Sequence, residues 1–256
     1  GAAGSSFDYL CFVDSDIIIP DNWIQQAITR LHETKSVLCG SKAVKPLPNE
    51  TWVSKAWIDH LFVSEQNQIK NTKWVPTQLM LVTSIAFKSV EGFDETLVSC
   101  EDVEFCHRVS EKYKITSSAD LAPYHLGNPK TIKEFYKKQL WHGESSAKVS
   151  LGLLRGSTKF EYKELLSLLV AAAPLLVFFT TLFIFDVGIL MSFALTFLII
   201  FLTSLAKSIL VYKSLGQNKG ALELAGLYSL YIFSRFHALI RELKFHYDQR
   251  KQDKKA

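Results

Sequence analysis

The chain has 256 residues, enough for one sizeable domain or a domain with an appendage. Basic residues outnumber acidic ones by 29 to 25, a net charge of +4, and no zinc-finger spacing or RNP-like aromatic pattern occurs, so nucleic acid is not expected as a partner. The four cysteines, Cys11, Cys39, Cys100 and Cys106, form no Cys-x-x-Cys pair. Cys11 and Cys39 fall in apolar runs, so buried thiols in a reducing, cytosol-facing domain are expected.

Tyr9 to Val13 is an apolar run with the character of a buried strand, and it leads into Asp14-Ser15-Asp16. In an extended backbone, residues two apart share a face, which would let Asp14 and Asp16 converge on one ligand. Two such carboxylates repel unless a cation sits between them, and Mg²⁺ or Mn²⁺ carrying phosphate oxygens is the natural guest. Alone, the pattern serves equally as a turn followed by a helix cap. Ile24, Ala27, Ile28 and Leu31 then recur at helical spacing, predicting a helix from Trp23 to about His32 with Asp21 or Asn22 as its cap.

Val37 to Gly40 is a short buried strand, and residues 45–75, with Trp52, Trp57 and Trp74, read as a loop plus one helix over a cleft. Gln78 to Phe87 supplies a strand and the start of a short helix. Glu91-Gly92-Phe93-Asp94-Glu95 is a turn, and a helix opens at about Glu101. Ile115 to Ala119 is the last strand, Pro123 to Gly127 its exit loop, and Lys130 to about Lys148 a basic amphipathic helix. Strands alternating with helices indicate an α/β layered fold with a mixed sheet and flanking helices.

Leu165–Phe185 and Val187–Ala206 are each about the 20 residues that cross a bilayer core, and between Leu165 and Ala206 only Asp186 is ionisable. A transmembrane helical hairpin is expected, with Asp186 and Gly188 at its tip and Pro174 inside its first helix. Lys130, Lys133, Lys137, Lys138, Lys148, Arg155, Lys159 and Lys163 precede it, and Lys207, Lys213 and Lys219 follow. The positive-inside bias then places both ends, and the amino-terminal domain, in the cytoplasm of a multi-pass cell-membrane protein. Residues 151–164 read as a basic juxtamembrane linker. Leu222–Leu243 reads as an amphipathic helix at the interface, or as a third span, ahead of a basic tail from Arg250.

The second acidic site is Glu101-Asp102-Val103-Glu104-Phe105-Cys106-His107-Arg108. First-turn acids complement a helix dipole, so this pair too has a purely local use. Further along, Lys137-Lys138-Gln139-Leu140-Trp141-His142 places basic and aromatic groups on a helix.

Asp14-Ser15-Asp16 at a strand end, the Gly92-Phe93-Asp94-Glu95 turn, Glu101-Asp102 with Arg108 following, and His125 occur in an order that resembles the second half of a GT-A-fold, family 2 glycosyltransferase, over roughly residues 4–150. The resemblance implies a partial GT-A-like, Rossmann-like sheet and inverting transfer of a sugar from a nucleotide-sugar donor. The acceptor would be a lipid-linked sugar or a glycan at the cytoplasmic membrane face, in cell-surface or exopolysaccharide synthesis. It implies Asp16, Asp14 and His125 as ligands of Mg²⁺ or Mn²⁺ at the donor diphosphate, Asp102 as general base supported by Glu101, and Arg108 as a brace for the carboxylates. Gln139, Trp141 and His142 stand where processive members carry Gln-x-x-Arg-Trp, an imperfect match that weakens an expectation of polysaccharide synthesis. The family's nucleotide-base half precedes the Asp-x-Asp strand. Because the chain opens with Gly1 just before that strand, a truncated donor-base site is expected. The alternatives are a non-catalytic membrane-anchored scaffold and a haloacid-dehalogenase-like phosphatase. The latter would need a later Gly-Asp-x-x-x-Asp, which is missing, and Ile17-Ile18-Ile19 follows the acids instead.

Overall fold

A computed structural model describes residues 4, 6–65, 69–95, 101–154, 162–184, 187–217 and 219–253. Cys100, Asp186, residues 155–161 of the expected linker and Lys254-Lys255 of the tail lie outside the described residues. The chain divides into two compact units, Gly1–Asn128 and Pro129–Ala256.

The first unit is built on a five-stranded mixed sheet. Its strands are β1 (Tyr9–Val13), β3 (Leu38–Gly40), β4 (Lys70–Thr72), β5 (Leu79–Thr83) and β6 (Ile115–Ser117), in the spatial order β1-β5-β3-β6-β4. β3 and β6 run parallel, and the other pairs are antiparallel. A separate two-stranded ribbon joins β2 (Ile17–Ile18) to β7 (Tyr124–His125). The helices are α1 (Trp23–Thr34), α2 (Trp52–Glu65), α3 (Ser84–Ser89) and α4 (Glu101–Lys112).

The central strands are buried on both faces, and their alternation sorts the core. Met80 and Val82 of β5 and Leu38 of β3 pack with Phe105, Cys106 and Val109 of α4. Leu79, Leu81 and Cys39 face the other way, onto Trp23, Ala27 and Leu31 of α1. The buried Trp23 indole N–H donates to the Leu121 carbonyl at 2.8 Å, satisfying its one polar atom. On the α4 side, Phe12, Phe87, Phe93 and Phe105 form a continuous aromatic knot with ring centroids 4.5–5.8 Å apart.

Several expectations need correction. Asp14 and Asp16 do not continue an extended strand. The Ile17 N–H donates to the Asp14 carbonyl at 3.2 Å, closing a turn. Asn22 occupies the cap of α1, but in a left-handed conformation with no side-chain cap bond. The 45–75 segment contributes β4 as well as α2. Its Lys-Asn-Thr sequence carries no apolar alternation that would announce a strand. His125 lies in β7, a further strand, rather than in an exit loop. Cys39 and Cys106 are buried, as a reduced interior requires, but Cys11 is exposed.

The second unit consists of α5 (Ile132–Leu154), α6 (Tyr162–Ile184), α7 (Ile189–Ser214) and α8 (Ala221–Asp253). Among the described residues, α7 is the one helix long and apolar enough to cross a membrane, and the apolar stretch of α6, Leu168–Ile184, is shorter. Pro174 stands inside α6, as expected. The segment expected as an interfacial helix is the long α8, which packs against α5, α6 and α7. It buries Leu224, Ala225, Leu227, Tyr228, Ala238 and Leu239. The turn-to-turn recurrence of these residues serves helix packing within the unit.

Truncating Phe105 removes the ring that α4 contributes to the aromatic knot. Phe105→Ala should cost about 3–5 kcal/mol in denaturant unfolding, whereas Val103→Ala, on the exposed side of the same helix, should cost under about 0.5 kcal/mol.

Candidate active site

The first acidic group is placed by backbone hydrogen bonds. β1 runs antiparallel to β5 with Val13 opposite Leu79, and just past that rung the Asp14 N–H donates to the Gln78 carbonyl at 3.0 Å. The chain then turns through Ser15 and Asp16 into β2, where Ile17 pairs with His125. The Leu126 N–H donates to the Asp16 carbonyl at 2.8 Å, so the ribbon holds Asp16 beside His125. Asp16 Oδ2 lies 3.5 Å from His125 Nε2, with the carboxylate open to solvent and the imidazole largely covered. Gly127 makes this approach possible. A Cβ there would overlap Asp16 Oδ2 and stand 2.9 Å from His125 Cε1.

Asp14 joins this group electrostatically. Burial, then the charge of Asp16, raises its carboxyl above the ordinary value; His125 pulls it down and Glu101 pushes it up. The turn replaces the extended strand end that the sequence suggested. It brings Asp14, Asp16 and His125 within charge-charge range of one another, and of the first residue of α4. Among the described residues, no three His, Cys, Asp or Glu side chains form a ready metal cage.

Asp102 sits in the first turn of α4. Its Oδ1 accepts from the Val103 N–H at 2.7 Å. Burial raises its pKa to about 6; the Val103 hydrogen bond works against that, Glu101 adds to it, and the backbone of Thr77 again opposes it. A carboxyl tuned to this range, in a part-covered site, has the property expected of a general base near neutral pH.

Arg108 braces a different carboxylate from the one the sequence suggests. Its Nε and Nη2 meet Glu104 at 2.5 and 2.6 Å, a bidentate pair one helical turn back. Nη2 also donates to the Gly92 carbonyl at 2.8 Å and Nη1 to the Val90 carbonyl, so Arg108 clamps the turn before α4 rather than touching Asp102. That turn needs Gly92, whose φ is +73° and whose hydrogen faces the Phe87 ring. The Glu104–Arg108 spacing of four is a signal the sequence offered. Gln78 had no such signal, because it acts through its backbone carbonyl.

Gln139, Trp141 and His142 belong to α5, in the second unit. Gln139 is buried, and Trp141 is 56% exposed beside the His142 ring at a centroid distance of 4.8 Å. Burial, with Arg235 and Lys138 nearby, lowers the His142 pKa to about 4. At neutral pH it therefore supplies no positive charge for a phosphate.

Asp102 binds its proton more tightly folded than unfolded, since its pKa rises from 3.8 to about 6. The folded state is favoured by this group below pH 4 and loses that contribution as pH rises through 6. Asp102→Asn should therefore be more stable than wild type at pH 7.5, by roughly 2 kcal/mol. Thermal melts across pH should show the gap closing below pH 4.

No family model matches the chain. It is similar to the pre-mycofactocin glycosyltransferases of Mycobacterium tuberculosis strains CDC 1551 / Oshkosh and ATCC 25618 / H37Rv, with 23% identity to each over 157 residues. The aligned region covers 59% of this chain and 33% of each relative, so the chain spans about a third of the length of the curated relatives it matches. The chain is thus a distant homologue of a glycosyltransferase.

Proposed function

We propose that the chain carries the diphosphate-binding and acceptor-activating part of a metal-dependent, inverting glycosyltransferase of the family 2 type. The observation that carries this reading is the geometry of the acids: Asp16 Oδ2 lies 3.5 Å from His125 Nε2, and Asp102 stands part-covered in the first turn of α4, beside a Glu101 whose charge reaches Asp14. The distant glycosyltransferase homology supports sugar transfer.

Asp16, Asp14 and His125 fit a divalent ion by their chemistry. Hard carboxylate oxygens and an imidazole suit Mg²⁺ or Mn²⁺, and the ion would complete its shell with diphosphate and water. Burial is the first cause of the raised Asp14 carboxyl, and the charges of Asp16 and Glu101 add to it, so negative charge is gathered there. When bound, the ion neutralises the charge of the leaving diphosphate. Asp102 takes the proton of the acceptor hydroxyl, with burial, and Glu101 after it, keeping its pKa high. The hydroxyl oxygen bonds to the anomeric carbon as the bond to the diphosphate oxygen breaks, and the nucleoside diphosphate leaves with the electron pair. One direct displacement inverts the anomeric centre, and no enzyme-bound sugar forms.

We place the protein at a membrane, with a lipid-linked sugar or a glycan as acceptor and the catalytic unit on the cytoplasmic side. The polarity of the second unit supports this. α7 buries Ser192, Thr196, Ser204 and Ser208 and exposes Leu190 (85%), Phe193, Phe197 and Leu202. Small polar residues inside and large apolar residues outside suit helices surrounded by lipid. The alternative, a non-catalytic membrane-anchored scaffold, is decided by the same assay.

Full-length protein should release nucleoside diphosphate from one of a panel of nucleotide sugars in the presence of Mn²⁺. Asp102→Asn should lower kcat by about 10²-fold or more with little change in donor KM, since it deletes the base. Asp16→Ala should raise the Mn²⁺ requirement and lower turnover. Unchanged metal-dependent turnover in both variants contradicts the reading.

A further inference from the structure

The ribbon that sets His125 beside Asp16 pairs only two residues on each side, so its outer edge needs support. The Leu126 N–H is directed inward, to the Asp16 carbonyl at 2.8 Å. Successive residues of a strand turn their backbone polar groups to opposite edges, so the His125 carbonyl faces away from β2. A carbonyl there needs a donor of its own. Asn128 supplies one: its Nδ2 donates to the His125 carbonyl at 2.8 Å and to Glu50 Oε1 at 3.0 Å.

Glu50 belongs to a segment that runs along that outer edge. The Lys45 N–H donates to the Pro123 carbonyl at 2.6 Å, and Lys45 forms a parallel bridge with Tyr124. Further along both stretches of chain, Glu50 meets Asn128. The Glu50 N–H donates to the Leu47 carbonyl at 3.3 Å, closing a turn that fixes the backbone under the carboxylate. The 45–50 segment is therefore tied at both ends to the stretch that carries His125.

The amide is the group this place requires. Both partners of Asn128 Nδ2 are acceptors, and its two N–H groups serve one each. An ionised aspartate at this position could make neither bond. Between the two ends of the link, the chain wraps Asp16: Leu126 holds the Asp16 carbonyl, and Gly127 leaves the room that Asp16 Oδ2 occupies. His125 is thus held on its inner side by the pairing with Ile17 and on its outer side by Asn128.

We infer that Asn128 is a positioning residue for the ion site: by holding the His125 carbonyl, it keeps the imidazole turned to Asp16. This inference rests on the function proposed above, in which Asp16 and His125 share a divalent ion. Asn128 acts through His125 and is not itself a ligand. A residue standing behind a ligating histidine fixes it before the ion arrives, and losing such a residue costs about 10-fold or more in metal affinity.

The test titrates the full-length protein with Mn²⁺ alone, counting bound ion by the loss of the free Mn²⁺ signal in electron paramagnetic resonance. Asn128→Ala should bind Mn²⁺ about 10-fold more weakly than wild type. Glu50→Gln combined with Asn128→Asp rebuilds the link between positions 50 and 128 with the donor on the other side. This swap keeps the net charge and the anchored segment, which covers the chance that alanine disturbs the fold, but it leaves the His125 carbonyl without the Asn128 donor. It should bind as weakly as Asn128→Ala. In a His125→Ala background, Asn128→Ala should change the affinity by less than about twofold, because the residue it acts through is gone. Wild-type affinity in Asn128→Ala or in the swap overturns the inference, as does an undiminished loss in the His125→Ala background. Those outcomes leave the proposed function standing. Equal Mn²⁺ binding by wild type and Asp16→Ala overturns the ion site itself, and the inference with it.

Discussion

The packing of four phenylalanines decides where the acids of the first unit stand. Phe12 lies on β1 two residues before Asp14, and Phe105 lies on α4 three residues after Asp102. Phe87 and Phe93 fill the space between them, with Phe93 and Phe105 only 4.5 Å apart. Tilted and edge-to-face contacts of this kind contribute about 0.5–1.5 kcal/mol each beyond the burial of the rings. They lock a helix against a strand end, and the acids at their tips follow. Arg108 adds a second restraint by tying α4 to the Val90–Gly92 turn that carries Phe93 into the knot.

That packing offsets an electrostatic cost. Asp14, Asp16, Glu101 and Asp102 are gathered so that Asp14 and Asp102 both hold their protons more tightly than free aspartates, burial being the leading cause. A fold selected for stability alone would spread these charges or pair them. Arg108 is the cation at hand, and it is committed to Glu104 instead. These carboxylates, with an imidazole at 3.5 Å from Asp16, suit a site that takes positive charge from a ligand. The same burial raises the Asp102 carboxyl to about 6, poised to take a proton.

The sequence announced the parts that rest on periodicity and missed those that rest on backbone geometry. The helical spacing of Ile24, Ala27, Ile28 and Leu31 gave α1, and the apolar run from Gln78 to Phe87 gave β5 and α3. β4 escaped because Lys70, Asn71 and Thr72 pair at a sheet edge, where polar side chains are tolerated. The β2–β7 ribbon is two residues long, below any pattern, yet it brings His125 to Asp16. Asp14 and Asp16 were paired on the premise of an extended strand, and a turn brings them into range instead. Arg108 was assigned to the wrong carboxylate because Glu101, Asp102 and Glu104 all lie within reach of a long side chain. In the second unit, the apolar runs gave α6 and α7, but α8 was legible only as an amphipathic stretch. Its partners, α5, α6 and α7, could not be read from its own sequence.

The account turns on whether Asp16 and His125 are joined by a cation that also holds a diphosphate. The most direct measurement is anomalous scattering from crystals of the protein grown with Mn²⁺ and a nucleoside diphosphate. The account predicts an anomalous peak at coordination distance, about 2.1 Å, from an Asp16 carboxylate oxygen, with His125 and the diphosphate as further ligands. Mn²⁺ bound to the diphosphate alone, or at a position that excludes both Asp16 and His125, would contradict it.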